Sequence, residues 1–147
     1  MTPQQCAIVA AARGWIGTPY RHQSSVRGQG ADCLGLIRGI WREVKGQEPE
    51  AMPIYTSDWS EISQHERMWE GALRHMRLVE KPAAGDMLLF RMRRGAVAKH
   101  VAILAGESAA GQTIIHAYTG AGVVETPLTP PWARRVVANF RFPEGDK

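Results

Sequence analysis

The chain has 147 residues, with 18 Lys and Arg, 14 Asp and Glu, and two Cys. This length predicts a single domain over residues 1–147. The composition, with 44% hydrophobic and 22% charged residues, excludes a disordered chain and a disulfide-stapled miniprotein. No apolar run reaches the ~18–20 residues that span a bilayer, and the N-terminus lacks a secretory pattern. The net charge of +4 is scattered, apart from a basic cluster at Arg91, Arg93, Arg94 and Lys99. We therefore expect neither nucleic-acid binding nor membrane insertion.

The N-terminal half has the apolar spacing of helices. Residues 4–14 are predicted to be helical, and a turn-rich stretch separates them from a second helix over residues 33–45. Asp32 stands where the N-cap of that helix belongs. Residues 47–56 are predicted to form a proline-punctuated loop, and a third helix is predicted from residue 57 or 58 to residue 76.

The period of the apolar residues changes after residue 82. Short apolar runs separated by glycine-bearing turns predict five strands, over residues 87–90, 101–104, 113–116, 123–125 and 136–140. A run of strands that follows a run of helices predicts an α+β fold with an antiparallel sheet.

Cys33 is predicted to lie in the first turn of the second helix. The exposed N–H groups and the dipole at that position stabilise a thiolate, so Cys33 is a candidate nucleophile. His100 opens one predicted strand and His116 closes the next, and adjacent antiparallel strands would bring both rings to one face. Such an arrangement supplies a base and an orienting group. Cys6, among small apolar residues, is expected to pack as a hydrophobe.

Composition and spacing leave other interpretations of these residues open. A lone cysteine is usually structural, and a histidine at a strand end is often a surface residue or a hydrogen-bonded core residue. The three side chains could also be zinc ligands, although no fourth ligand has a spacing such as C-x-x-C or H-x-x-x-H.

Four segments carry motifs that are more specific than any single residue. In chain order they are GTPYRHQSSVRGQGADCLGLIRGIW, AAGDMLLF, KHVAIL and TIIHAY. They resemble the signature of the NlpC-type cell-wall peptidases, which are papain-like cysteine peptidases, and together they span roughly residues 16–142. The resemblance implies a circularly permuted papain-like fold, with N-terminal helices packed on a central antiparallel sheet.

The resemblance also implies roles for residues at matching positions. Cys33 would be the nucleophile, His100 the general base, and His116 the polar residue that orients the His100 ring. Tyr20 corresponds to the family tyrosine beside the oxyanion. Asp32 matches the family aspartate before the cysteine, where it would cap the helix and hold the loop. No metal and no cofactor is required.

Three residues depart from the family motifs. Leu34 replaces a serine, Ala102 a glycine after the base, and Ala84 the proline before the Gly-Asp pair. Because Leu34 lies beside the nucleophile, we expect it to shape the substrate pocket without removing a reacting group.

The implied reaction is hydrolysis of an amide bond in the stem peptide of peptidoglycan, through a thioester. An amidase or acyltransferase on the same scaffold, and a non-catalytic tail- or wall-binding module, are the alternatives. Residues 47–76 would be a helical insertion that shapes the cleft or contacts a tail protein, or else a plain packing helix.

Two features resemble the subgroup encoded in phage tail clusters and gene transfer agents, namely the D-C-L-G-L variant and the segment WREVKGQEPE. We therefore expect synthesis in the cytoplasm without a signal peptide, and action in the cell wall or periplasm from a phage-like tail hub or tip. Release as a free endolysin is the competing route.

Overall fold

Four helices and eight strands make up the part of the chain that the structure describes. This computed structural model describes residues 1–49, 67–92, 98–109 and 111–144. The helices are α1 (Pro3–Gly14), α2 (Cys33–Lys45), α3 (Arg67–His75) and α4 (Pro130–Ala133). The strands are β1 (Ser25–Val26), β2 (Gly30–Ala31), β3 (Arg77–Val79), β4 (Met87–Phe90), β5 (His100–Ser108), β6 (Gly111–Tyr118), β7 (Gly122–Pro127) and β8 (Val136–Arg141).

Local chemistry sets the ends of the two long helices. At the start of α1, Thr2 and Gln5 form a capping box in which each side chain accepts from the other residue's backbone N–H. Helix α2 begins after Asp32, whose carboxylate accepts the N–H of Gly35, and it ends at Gly46, which has a φ of 90°. Glycine adopts this left-handed conformation at little cost, so the chain can leave the helix there.

The main sheet has six strands in the order β3-β8-β4-β5-β6-β7, and every neighbouring pair is antiparallel. Strands β1 and β2 form a separate two-stranded ribbon just before α2. The predicted α+β class, with N-terminal helices packed on an antiparallel sheet, is confirmed.

The two faces of the central strands carry different cores, because side chains alternate along a strand. One face carries Leu89, Val101, Ile103 and Ile115, which pack with the buried residues of α1 and α2. The opposite face carries a smaller cluster, which Trp132 of α4 partly covers. The buried members of that cluster are Leu88, Phe90, Ala102, Leu104 and Ile114.

All five predicted strands are present, several of them longer than predicted. The sequence analysis missed β1, β2, β3 and α4, which have two to four residues each and are too short for a periodic pattern. Residues 57–66 of the predicted third helix lie outside the described residues, as do Arg93 and Arg94 of the basic cluster. The rest of that helix is present as α3. No helix in the described ranges is long and apolar enough to cross a membrane.

Candidate active site

Cys33 is the first residue of α2, and its side chain is 8% exposed. Its Sγ lies 3.8 Å from the carbonyl oxygen of Lys99, and a hydrogen bond from the backbone N–H of Val101 favours its thiolate form. Helix α2 packs against β5, which begins at His100. The thiol therefore lies against the backbone on both sides of His100.

His100 and His116 form a buried pair. Nε2 of His100 lies 2.9 Å from Nδ1 of His116, and the two rings meet edge to face with centroids 5.1 Å apart. The two residues are 7% and 2% exposed. Nε2 of His116 in turn lies 3.1 Å from the hydroxyl oxygen of Thr126 on β7. His100 thus uses Nε2 toward His116, and Nδ1 is its other ring nitrogen.

Burial disfavours the charged forms of Cys33, His100 and His116. Burial raises the pKa of Cys33 to about 12, with a smaller contribution from the negative charge of Asp32. Burial lowers the pKa of His100 to about 3, with a smaller electrostatic contribution from His116. Burial also lowers the pKa of His116, to about 4. At neutral pH the free protein therefore holds a thiol and two neutral imidazoles. Burial of the Cys33 sulfur therefore opposes the thiolate that a helix N-terminus favours.

Three aromatic side chains surround the histidine pair. The Trp132 ring centroid lies 5.6 Å from that of His100 and 5.1 Å from that of His116. Phe90 lies 5.6 Å from His100, and Tyr118 lies 5.7 Å from His116. The rings keep water from the imidazoles, which accounts for the direction of both histidine pKa shifts.

Asp32 holds the loop that leads into α2. One carboxylate oxygen accepts the N–H of Gly35 at 2.7 Å, and the other accepts the N–H of Gln23 at 2.7 Å. Gln23 has a φ of 65°, a conformation that a non-glycine residue adopts only when its surroundings hold it. The buried carboxylate thus joins the preceding loop to the first turn of the helix, as expected for the cap.

Tyr20 and Leu34, the other two expected site residues, are both partly buried against the main core. Tyr20 is half-buried and shares a hydrogen bond with Thr119, and burial followed by the charge of Cys33 raises the pKa of its phenol. The Cys33 sulfur, when ionised, thus acts on this phenol electrostatically. Leu34 is partly buried and packs against the main core.

Sequence reasoning missed four of the residues around the histidine pair, namely Phe90, Tyr118, Thr126 and Trp132. Tyr118 could have been found, since it follows His116 by two residues in a strand and so shares its face. No local pattern marks Thr126 or Trp132, because cross-strand register and a four-residue helix bring them to the pair. Within the described ranges, no group of three or more His, Cys, Asp or Glu is placed to hold a metal ion.

Known proteins share this fold over nearly the whole chain. The NlpC/P60 domain of the peptidoglycan hydrolase SagA is 25% identical, with a TM-score of 0.61 over 94% of this chain and 98% of that one. A lipoprotein-like NLP/P60 family protein of Staphylococcus aureus is 19% identical, with a TM-score of 0.64, and the match covers 99% of this chain but 43% of that one.

An N-acetylmuramoyl-L-alanine amidase from Bacteroides uniformis has the same fold at 8% identity, with a TM-score of 0.59 over 96% of this chain and 99% of that one. No curated protein sequence matches the chain. The sequence profile of the NlpC/P60 family matches residues 17–141. That match covers most of the chain and includes Cys33, His100 and His116, so the chain belongs to the NlpC/P60 family.

Proposed function

We propose that the chain is a cysteine peptidase that hydrolyses amide bonds in the stem peptide of peptidoglycan. The observation that carries this proposal is the position of the Cys33 thiol against the backbone that flanks His100, whose ring is hydrogen-bonded to His116. Family membership and the likeness to the domain of the peptidoglycan hydrolase SagA support the substrate class.

In the first step, the Cys33 sulfur would add to the carbonyl carbon of the substrate amide. The Cys33 thiol gives its proton to Nδ1 of His100, and the sulfur attacks the carbonyl carbon to form a tetrahedral intermediate. Because burial disfavours both the free thiolate and the free imidazolium, proton transfer and attack are expected to occur together. The imidazolium and the oxyanion then form as a pair of opposite charges in a site that excludes water.

The second step would break the C–N bond. Backbone N–H groups at the start of α2 stabilise the oxyanion, since they point out of the helix end without partners in the helix itself. As the intermediate collapses, the amine leaves with the proton that His100 held, and a thioester to Cys33 remains. Water, deprotonated by His100, hydrolyses the thioester and restores the thiol.

Mass spectrometry of muropeptides after incubation with the protein tests this proposal. The wild-type protein should release peptide fragments, whereas Cys33→Ala and His100→Ala should release none. His116→Ala should retain partial activity, since water can replace an orienting group in part. Cys6→Ala is the matched control. The expectation that Cys6 packs as a hydrophobe is wrong, because Cys6 is exposed, and since it lies outside the site this variant should be fully active. Activity that depends on Cys6 and not on Cys33 would overturn the assignment.

The same spectra distinguish the other candidate reactions. Cleavage within the stem peptide identifies a peptidase, whereas free glycan and intact peptide identify an amidase. Products that gain the mass of an added amine identify an acyltransferase. A protein that binds cell-wall sacculi without changing any product mass would be a binding module.

We also infer that the protein acts from a phage-like tail, at its hub or tip. The D-C-L-G-L motif around Cys33 and the segment WREVKGQEPE support this through their likeness to tail-encoded relatives. Proteomics of washed particles tests the inference, because a tail component remains with purified tails. A protein abundant in the lysate and absent from washed tails would instead be a free endolysin.

For the organisation of the chain, we propose one domain over residues 1–147, in which residues 47–76 form a packing insertion. Ala72 of α3 is 6% exposed and joins the main core, which supports a packing role for this helix. Shortening the segment within residues 50–66 should leave muropeptide cleavage intact. A loss of cleavage without a loss of thermal stability would indicate a role in the cleft.

A further inference from the structure

Thr126 lies at the end of a line of hydrogen bonds that begins at His100. Strands β6 and β7 pair Ile114 with Thr126 and His116 with Val124, so Thr126 shares the face of the sheet that carries His116. Its hydroxyl oxygen lies 3.1 Å from Nε2 of His116, whose Nδ1 lies 2.9 Å from Nε2 of His100. Two imidazoles and one hydroxyl are thus connected in series.

A count of protons determines which way these hydrogen bonds run during the reaction. Once His100 has accepted the thiol proton on Nδ1, both of its nitrogens carry hydrogen, so Nε2 must donate to Nδ1 of His116. The neutral His116 then carries its own proton on Nε2 and needs an acceptor there. The hydroxyl oxygen of Thr126 is the group in that position.

We propose that Thr126 is a positioning residue, whose hydroxyl accepts the Nε2–H of His116 and so keeps Nδ1 of His100 ready to receive the thiol proton. The proposal rests on the function proposed above, in which Cys33 and His100 react. In this role Thr126 needs no contact with the substrate or the sulfur, because it acts through His116.

The opposite arrangement would prevent the reaction. If Thr126 donated to Nε2 of His116, then His116 would donate from Nδ1 to Nε2 of His100, and the proton of His100 would occupy Nδ1. That nitrogen could not then accept a proton from Cys33. A hydroxyl can serve as donor or acceptor, so its role can be measured from the tautomers of the two rings.

Tautomers can be read from ¹⁵N chemical shifts of the two imidazoles in the unreacted, full-length protein at neutral pH. We expect both rings to carry their proton on Nε2 in the wild-type protein and in Thr126→Ser, which keeps the hydroxyl. A wild-type His116 protonated on Nδ1 would overturn the proposal. The measurement uses no substrate, so it stands even if the peptidase reaction proves wrong.

Kinetics on muropeptides supply the second readout. Thr126→Val keeps the shape of the side chain but removes the acceptor, and one unpaired buried donor should lower kcat by about tenfold or more with little change in KM. Thr126→Ser should restore kcat to near the wild-type value. An unchanged kcat in Thr126→Val would contradict the proposal, and so would a loss that Thr126→Ser shares. If the wild-type protein itself cleaves nothing, the proposed function fails, and the tautomers still report on Thr126.

Discussion

At Cys33 the helix N-terminus and burial have opposite effects on the pKa of the thiol. The start of a helix favours a thiolate, and backbone N–H groups of Leu34 and Val101 act in the same direction. Burial and the charge of Asp32 favour the thiol, and together they prevail, so the pKa rises to about 12. In the proposed reaction, Cys33 is therefore stored as a thiol and loses its proton only when a substrate and His100 take part.

The rate at which iodoacetamide alkylates Cys33 should consequently keep rising with pH to an unusually high pH. In Cys6→Ala protein the rate should be slow at pH 7 and should still rise above pH 10, since alkylation requires the thiolate. Cys33→Ala protein, in which only the exposed Cys6 reacts, supplies the rate of an accessible thiol. A Cys33 rate that is already constant between pH 6 and pH 8 would instead reveal a preformed thiolate–imidazolium pair.

Helix α2 owes its position to close contacts at its glycines. The Trp15 ring packs over Gly39, and its indole Nε1 donates to the Glu43 carboxylate at 2.9 Å. A Cβ at Gly39 would overlap the six-membered part of the Trp15 ring. Because Trp15 is fully buried, it has no room to yield. The helix that carries Cys33 is thus held against α1 by this contact.

Gly39→Ala should therefore destabilise the protein by about 1–3 kcal/mol, the usual cost of overpacking a core. The displaced helix should also lower muropeptide cleavage, because it carries Cys33, the proposed nucleophile. Gly71→Ala is the matched control, as Gly71 lies in α3 and its nearest neighbour would be a side-chain atom of Arg74 at 3.8 Å. This control should stabilise the protein by up to about 1 kcal/mol, the gain in helix propensity. Urea denaturation measures both changes, and equal effects would refute the packing argument.

Across the whole molecule, the buried site makes stability depend on pH. In the folded state the pKa values of His100 and His116 lie near 3 and 4, below the ordinary value of 6.5. The unfolded chain therefore binds more protons below pH 6.5, and stability falls as the pH decreases from there toward 4. Cys33 acts at the other end: the unfolded thiol ionises near pH 9.0 and the folded one near 12, so stability falls above pH 9.

The free energy of unfolding can be measured with urea between pH 4.5 and pH 10. The contribution of these groups to it should be constant from about pH 6.5 to pH 9 and should decline on each side. Each histidine accounts for at most about 1.4 kcal/mol per pH unit on the acid side. His116→Asn should reduce the acid slope, and Cys33→Ser should leave it unchanged. An acid slope that is identical in the wild-type protein and His116→Asn would show that other groups cause the decline.

Much of this arrangement could be predicted from short stretches of sequence. Asp32 before an apolar helical face predicts the cap and the position of Cys33, because capping and helical spacing depend on residues a few positions apart. The motifs around His100 and His116 predict that pair only through their resemblance to the family and through the expectation that the two strands are neighbours. Short apolar runs between glycine-bearing turns also predict the central strands, although not β3, which is three residues long.

Tertiary structure was needed for everything that depends on distant neighbours. The approach of Thr126 and Trp132 to His116 comes from strand register and from the placement of α4, which no local pattern encodes. The ring nitrogen that His100 uses toward His116 is likewise a matter of cross-strand geometry. The protonation of Cys33 depends on burial by groups far away in the chain, and this burial outweighs the helix dipole, a local effect that the sequence does reveal.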